Sequence, residues 1–345
     1  MTDNFPACID EVTAPWLSSV LGMTVDSFTY SDIGAGKGMM GDIFRMSIFT
    51  SSGKEHSIVA KFSADREDLR VAAKRAGIFE REVNFYKLIA PRLQCRIPAT
   101  YGCWYNDDSG KFLILMESID ADPSVSQIIG VTFEQAKMVM RELAVLHVPD
   151  AEVNEHRGLF NFVNAPGRRM NQAAFIANGW NSVREIVPEH LRVMDTPERM
   201  VERHGVAFDH LGSLPMFLLH GDTRPDNLLF SRDGKSVALI DWQGLTLGPR
   251  EWDVGYFIAQ GLRTEDRREW MDELIRYYIS CVDDPTQKLT VEEMRTNIGK
   301  VAWFSLGVAC SLFTVADTSL QATIELSASM AERALHLLFD AGELS

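Results

Sequence analysis

Apolar and polar positions alternate in different ways along this chain, and the change of rhythm predicts its elements. Ser57-Ile-Val-Ala-Lys-Phe62 is a short β-branched and apolar run, read as a strand that carries a lysine. In Phe79-Glu-Arg-Glu-Val-Asn-Phe-Tyr86 the spacing turns helical, and Phe79, Val83 and Tyr86 form a core-facing stripe that includes Glu82. Phe112-Leu-Ile-Leu-Met-Glu-Ser118 is strand-like again and ends in polar residues. Beyond it the pattern is helical: Thr132 caps a helix that runs to His147, and residues 183–210 are charged and amphipathic. Val237-Ala-Leu-Ile240 returns briefly to a strand, and helices are expected over 264–282, 290–316 and 320–341.

With 345 residues the chain exceeds the usual size of a single core, so two lobes are expected, divided at 117 and 118. The most apolar stretch, Val301 to Val315, falls short of the ~20 residues a membrane span needs and reads as a core helix. A net charge of −14 argues against nucleic acid as a partner, because phosphates would be repelled. Five cysteines in no C-x-x-C pair argue against a disulfide framework and suit a reducing cytoplasm. The N-terminus has no basic start and no long apolar segment, so no signal peptide is expected.

The densest chemistry lies in Leu218-Leu-His-Gly-Asp-Thr-Arg-Pro-Asp-Asn-Leu-Leu-Phe230 and Ala238-Leu-Ile-Asp-Trp-Gln243. His220, Asp222 and Asn227 fall in the spacing H-x-D-x-x-x-x-N, and Asp241 ends the following apolar run. Phosphoryl transfer from a nucleotide needs these groups: a carboxylate to accept the proton of an attacking hydroxyl, and an amide oxygen and second carboxylate to hold Mg²⁺. Asp222 is assigned the first role, Asn227 and Asp241 the second. Asp and Asn also suit plain turns, but the coincidence of all these positions outweighs that reading.

Lys61 in its strand and Glu82 on its helix have the separation of a phosphate-positioning ion pair, with Glu80 as the competing acid. Upstream, Gly34, Gly36, Gly38 and Gly41 would let a hairpin backbone approach phosphates, although a flexible turn explains them nearly as well. No Walker-type loop is present, and Gly234-Lys-Ser236 reads as a turn between strands. No H-E-x-x-H or similar cluster supports a zinc hydrolase.

His220-Gly-Asp-Thr-Arg-Pro-Asp-Asn227, Ile240-Asp-Trp-Gln243, Gly248-Pro-Arg-Glu-Trp-Asp-Val-Gly-Tyr-Phe257 and Leu143-Ala-Val-Leu-His147 together resemble the aminoglycoside phosphotransferase and choline kinase-like superfamily, including its ecdysteroid-kinase-like and macrolide-kinase-like branches. The resemblance spans about residues 30 to 260. It implies a bilobal, protein-kinase-like α+β fold, with a small antiparallel N-terminal lobe and a larger helical C-terminal lobe. It also implies ATP or GTP as phosphoryl donor with Mg²⁺, and adenine contacts to the backbone of Met116, Glu117 and Ser118. Carried over residue by residue, His220 and Asp253 would support the catalytic loop, and Arg224 would face the transferring phosphate. The alternative for Arg224 is a surface residue paired with Asp226 or another acid. An insertion bearing Phe160, Phe162, Met170, Phe175 and Trp180 would shape an acceptor pocket, unless these residues are simply core. Gly248 follows Asp241 too closely for a long activation segment, which favours a small-molecule alcohol over a protein as acceptor. Two other functions compete: a catalytically silent nucleotide-binding scaffold, and a metal-dependent phosphohydrolase that would have no use for Lys61 and Glu82.

Overall fold

The computed structural model describes residues 5–34, 41–51, 53, 55–147, 156, 158–163, 165–193, 195–283, 288–315 and 321–344. These form two compact units: one of Met1–Leu93, Ile97–Asp120 and Ile240–Gly244, the other of Gln94–Arg96, Ala121–Leu239 and Leu245–Ser345.

In the first unit, helix α1 (Ala14–Leu21) precedes strands β1 (Ser27–Asp32), β2 (Gly41–Phe49) and β3 (Glu55–Ser63). Helices α2 (Glu67–Arg75) and α3 (Ile78–Asn84) follow, then β4 (Thr100–Tyr105) and β5 (Phe112–Glu117). The five strands form an antiparallel sheet in the order β1-β2-β3-β5-β4. Alternation along β3 sends Ile58, Ala60 and Phe62 into a core with Leu17, Met46, Ile48, Leu113 and Leu115. Lys61 therefore points to the other face, the one covered by α3, whose Phe79 lies 4.5 Å from Phe112 of β5. At Gly41 a Cβ would stand 2.6 Å from the Phe62 carbonyl oxygen, so only glycine fits this crossing of β2 over β3. Helix α3 does not stop cleanly: it passes into a single π-helical turn over Phe85–Ile89.

The second unit contains α4 (Phe133–Leu146), β6 (Asn161–Phe162), α5 (Pro166–Ile186), α6 (Pro197–Leu211), β7 (Phe217–Leu219), β8 (Leu228–Phe230), β9 (Val237–Leu239) and β10 (Thr246–Gly248). It is completed by α7 (Glu251–Gly261), α8 (Thr264–Cys281), α9 (Val291–Val315) and α10 (Gln321–Asp340). Thr132 caps α4 in a full capping box with Gln135. The three C-terminal helices fall within a residue of their expected bounds, because each is a long amphipathic repeat ended by polar or unmatched residues. Helix α7 is buried at every residue, which is why its sequence shows no polar face. Its Gly255 lies against α9, where a Cβ would meet Val301 at 2.9 Å. Gly234, at φ +69°, turns the chain between β8 and β9, as expected. No helix among the described residues is long and apolar enough to cross a membrane.

Candidate active site

In the N-terminal unit three predicted residues meet. Lys61 Nζ lies 2.7 and 2.9 Å from the two carboxylate oxygens of Glu82 and 3.0 Å from Asp241 Oδ1. Lys61 and Glu82 are buried, whereas Glu80, the competing acid, is exposed. Burial disfavours the ammonium, but the Asp241 and Glu82 carboxylates outweigh it and hold Lys61 above its ordinary value. Lys61 is thus charged. Burial, then the competition of Asp241 for the same ammonium, pushes the Glu82 carboxyl upward against the pull of Lys61. Two acids on one ammonium leave a surplus of negative charge.

Asp241 reaches this position through a backbone that the alternation pattern does not reveal. The strand expected through Ile240 ends at Leu239, and Asp241 takes φ +63°, the single positive-φ non-glycine among the described residues. Such a conformation costs about 1–3 kcal/mol and persists only where neighbours enforce it. Helix α3 supplies the neighbours. Arg81 Nη1 donates to the Gln243 carbonyl at 3.1 Å. Trp242 stacks face to face on Phe85, ring centroids 3.8 Å apart at 13°.

The glycine hairpin is described only at its ends. Gly34 begins it, with a Cβ position 3.1 Å from the Ile43 nitrogen, while Gly36 and Gly38 lie outside the described residues. The ends are acidic: burial first, then Asp32 and Asp65, push the Asp42 carboxyl upward. Met116 and Glu117 close β5, and Ser118 follows it. The Glu117 N–H donates to the Ala99 carbonyl at 2.8 Å and its carboxylate accepts from Ala99 N at 3.0 Å.

The second unit gathers the other predicted residues on the loop between β7 and β8. Gly221, at φ +83°, makes the bend that turns Asp222 away from the core, a conformation a side chain would strain. Asn227 Nδ2 donates to both the carbonyl oxygen and Oδ2 of Asp222, each at 2.9 Å, so its amide oxygen points the other way. Arg224 Nε stands 3.5 Å from Asp222 Oδ2, and both side chains are about a third exposed. Arg224 thus pairs with an acid, Asp222, and Asp226 accepts the Gln127 N–H at 3.2 Å.

Beneath the loop, Asp253 accepts the N–H groups of His220 at 2.7 Å and Gly221 at 2.8 Å. This is the bracing expected of it, although it also occupies the first turn of α7 as a plain helix-start acid would. His220 is fully buried and its Nδ1 accepts the Asp222 N–H at 3.3 Å, a supporting role. His147 joins the same network, 3.3 Å from Asp253 and 2.7 Å from the Tyr278 hydroxyl. Of the residues expected to shape an acceptor pocket, Trp180 is fully buried and donates to the Asp195 carbonyl, Phe160 is buried, and Met170 is 70% exposed. Tyr256 of α7, given no role in the sequence reading, is buried with its ring 5.0 Å from that of Phe304.

Among the described residues no three His, Cys, Asp or Glu side chains assemble into a metal site. Taken singly, the Asp241 carboxylate and the Asn227 amide oxygen that faces away from Asp222 are each hard oxygens of the kind Mg²⁺ takes.

Residues 35–291 match the sequence profile of the ecdysteroid kinase-like family. An uncharacterized kinase-like protein of Caenorhabditis elegans is 25% identical over 168 residues, which cover 45% of this chain and 43% of that protein. The chain thus spans less than half the length of this curated relative. A candidate aminoglycoside phosphotransferase of Ralstonia eutropha superposes with a TM-score of 0.59 at 15% identity, over 95% of this chain and 97% of that one. Aminoglycoside 2'-phosphotransferase-IIIa, solved with GDP, gives 0.57 at 14% identity over 92% and 96%. Macrolide 2'-phosphotransferase type I gives 0.53 at 17% over 91% and 93%. At these identities the likeness is one of fold, and it is the kinase-like α+β fold expected from the sequence. Taken with the profile match over most of its length, the chain belongs to the ecdysteroid kinase-like family.

Proposed function

We propose that this protein transfers the terminal phosphoryl group of ATP or GTP to a hydroxyl of a small molecule. The observation that carries the reading is the buried ammonium of Lys61 held between Glu82 and Asp241. A charged lysine is costly to bury, and its retention beside two acids is explained by a ligand that is itself polyanionic and metal-bearing. A phosphohydrolase working through Asp222, Asn227 and Asp241 alone would leave that cluster without a task.

In this reading Lys61, positioned by Glu82, binds the nucleotide phosphates, with the backbone of Gly34 beside them. Met116, Glu117 and Ser118 offer backbone groups to the base. Asn227 and Asp241 hold Mg²⁺, which when bound neutralises charge on the phosphates. Asp222 orients the acceptor hydroxyl and takes its proton as the new O–P bond forms, and Arg224 lies beside that carboxylate to offset charge on the equatorial oxygens. The relatives' substrates, an aminoglycoside and a macrolide by name, support an alcohol acceptor of modest size.

The test is a coupled screen for ADP or GDP release over a panel of aminoglycosides, macrolides, sterols and amino alcohols, with Asp222→Asn as control. Turnover with one acceptor class, lost in the control, is expected. Mg·ATP that binds but never turns over would instead favour a silent scaffold.

A further inference from the structure

Arg333 carries a long cationic side chain on α10, yet it is only 7% exposed. Its guanidinium donates to three main-chain carbonyl oxygens: Nη1 to Gln127 and Gln260, each at 2.6 Å, and Nη2 to Ile128 at 2.8 Å. Gln260 is the penultimate residue of α7, where helix carbonyls lack partners from their own helix. A cation there also faces the negative end of the helix dipole. Side chains close the arrangement. Gln127 Nε2 donates to Gln260 Oε1 at 3.1 Å, and Gln260 Nε2 donates to the Met330 carbonyl, three residues before Arg333, at 3.4 Å.

Both elements that Arg333 holds run on to the loop bearing Asp222, all within the second unit. Helix α7 reaches it through Asp253, which accepts the His220 and Gly221 N–H groups on one side of Asp222. The other arm is the segment 121–130. Its Asp122 N–H donates to the Phe230 carbonyl of β8 at 2.8 Å, and its Gln127 N–H donates to Asp226 Oδ1 at 3.2 Å, on the far side of Asp222. The segment ends in a tight turn, with the Gly130 N–H on the Ser126 carbonyl at 2.8 Å and Gly130 at φ +83°. A Cβ at Gly130 would stand 3.0 Å from the Gly261 carbonyl oxygen, so the turn sits directly on the end of α7. One guanidinium thus ties together two arms that grip the loop at 220–221 and at 226.

We propose that Arg333 is a positioning residue for phosphoryl transfer, its guanidinium fastening the turn at 126–130 to the end of α7 so that both sides of the Asp222 loop are held in register. The inference rests on the reading of Asp222 as the proton acceptor. A carboxylate in that role must keep its place, since a misplacement of about 1 Å costs on the order of 100-fold in rate. Arg333 touches neither nucleotide nor acceptor and acts through Asp253 and Asp226. Lysine is a poor substitute, because a single ammonium nitrogen lacks the planar fork that reaches three carbonyl oxygens at once.

The test uses full-length protein. Arg333→Met keeps an apolar stem and removes the three donors. Hydrogen exchange read by mass spectrometry should quicken roughly tenfold at 126–131 and at 221–227, while α9 exchanges as in wild type. With Mg·ATP alone and water as the acceptor, kcat for ADP release should fall roughly tenfold, and calorimetric affinity for Mg·ATP should stay within about twofold of wild type. Combined with Asp226→Ala, the loss should be smaller than the product of the two single losses, because both variants cut the same arm. Wild-type exchange at 221–227 in Arg333→Met, or an unchanged kcat while Asp222→Asn is slow, would overturn the role of Arg333 and leave Asp222 as the base. Losses that multiply in full would equally overturn it, by showing that Arg333 acts independently of Asp226. Wild type no faster than Asp222→Asn would instead remove the base, and the proposal with it. Should Arg333→Met fail to fold, Arg333→Lys is read in the same way: smaller shifts in loop exchange and kcat are expected, and a wild-type value of either refutes the proposal.

Discussion

Asp253 and His220 are joined by a hydrogen bond from the His220 backbone N–H to Asp253 Oδ2 at 2.7 Å, with both residues wholly shielded from water. Gly221 adds a second N–H to the other oxygen, and His147 reaches the same carboxylate from the end of α4. The loop that carries Asp222 is thereby tied to two helices through one side chain.

Asp253→Ala should therefore strand two buried N–H groups. Each unsatisfied donor costs about 1–3 kcal/mol, so urea unfolding should show a loss of at least ~3 kcal/mol. Any activity that survives should fall with it. A midpoint unchanged from wild type would show that the loop holds its shape without the brace.

Much of this was legible in the sequence, and the division has physical reasons. The Lys61–Glu82 pair could be read because a strand alternation and a helix stripe each fix a face, and the two faces must meet. The three C-terminal helices could be read because long periodic segments average out local exceptions. Asp253 stood undecided between brace and helix-start acid, since both put an aspartate in a first helical turn. The left-handed backbone of Asp241 was not legible, because no pattern of apolar positions encodes a φ angle.

That backbone gives a second prediction. Asp241→Asn should fold almost normally, because asparagine tolerates the left-handed region, yet lose the carboxylate. Titration calorimetry should find Mg²⁺-dependent ATP binding weakened by at least tenfold, while metal-free ATP binds as well or better. Mg·ATP affinity equal to wild type would exclude Asp241 as a metal ligand.

Arg224 yields a kinetic prediction. Its guanidinium is about a third exposed and 3.5 Å from the Asp222 carboxylate, so its worth to stability is at most ~1 kcal/mol. If it offsets phosphoryl charge, Arg224→Ala should lower kcat more than tenfold with ATP affinity little changed, and Arg224→Lys should recover part. Identical kinetics for wild type and the alanine variant would leave it a surface residue.

A fourth prediction concerns acid. His204 is buried against Phe208, and neither ring nitrogen has a hydrogen-bond partner among the described residues. Burial, with the Arg169 charge adding, pushes its imidazole down to about 4. The unfolded histidine, near ~6.5, takes up its proton first, so the stability this neutral ring preserves is present above ~6.5 and drains away as pH falls toward about 4. The total is on the order of 3 kcal/mol. His204→Leu should flatten the dependence of the unfolding midpoint on pH across that window. An equally steep slope in the variant would assign acid sensitivity to other groups.

The return of Ile240–Gly244 to the N-terminal unit bears on how the chain can be made. When synthesis has reached Asp120, all five strands of the sheet and the helix bearing Glu82 exist, but the ring that covers Phe85 and the acid that shares Lys61 do not. Both arrive only with Asp241 and Trp242, after the helices that begin the second unit have been translated. The unit that leaves the ribosome first therefore stays unfinished until the chain has passed Gly244, and a nascent chain halted between these points should expose Phe85 to chaperones.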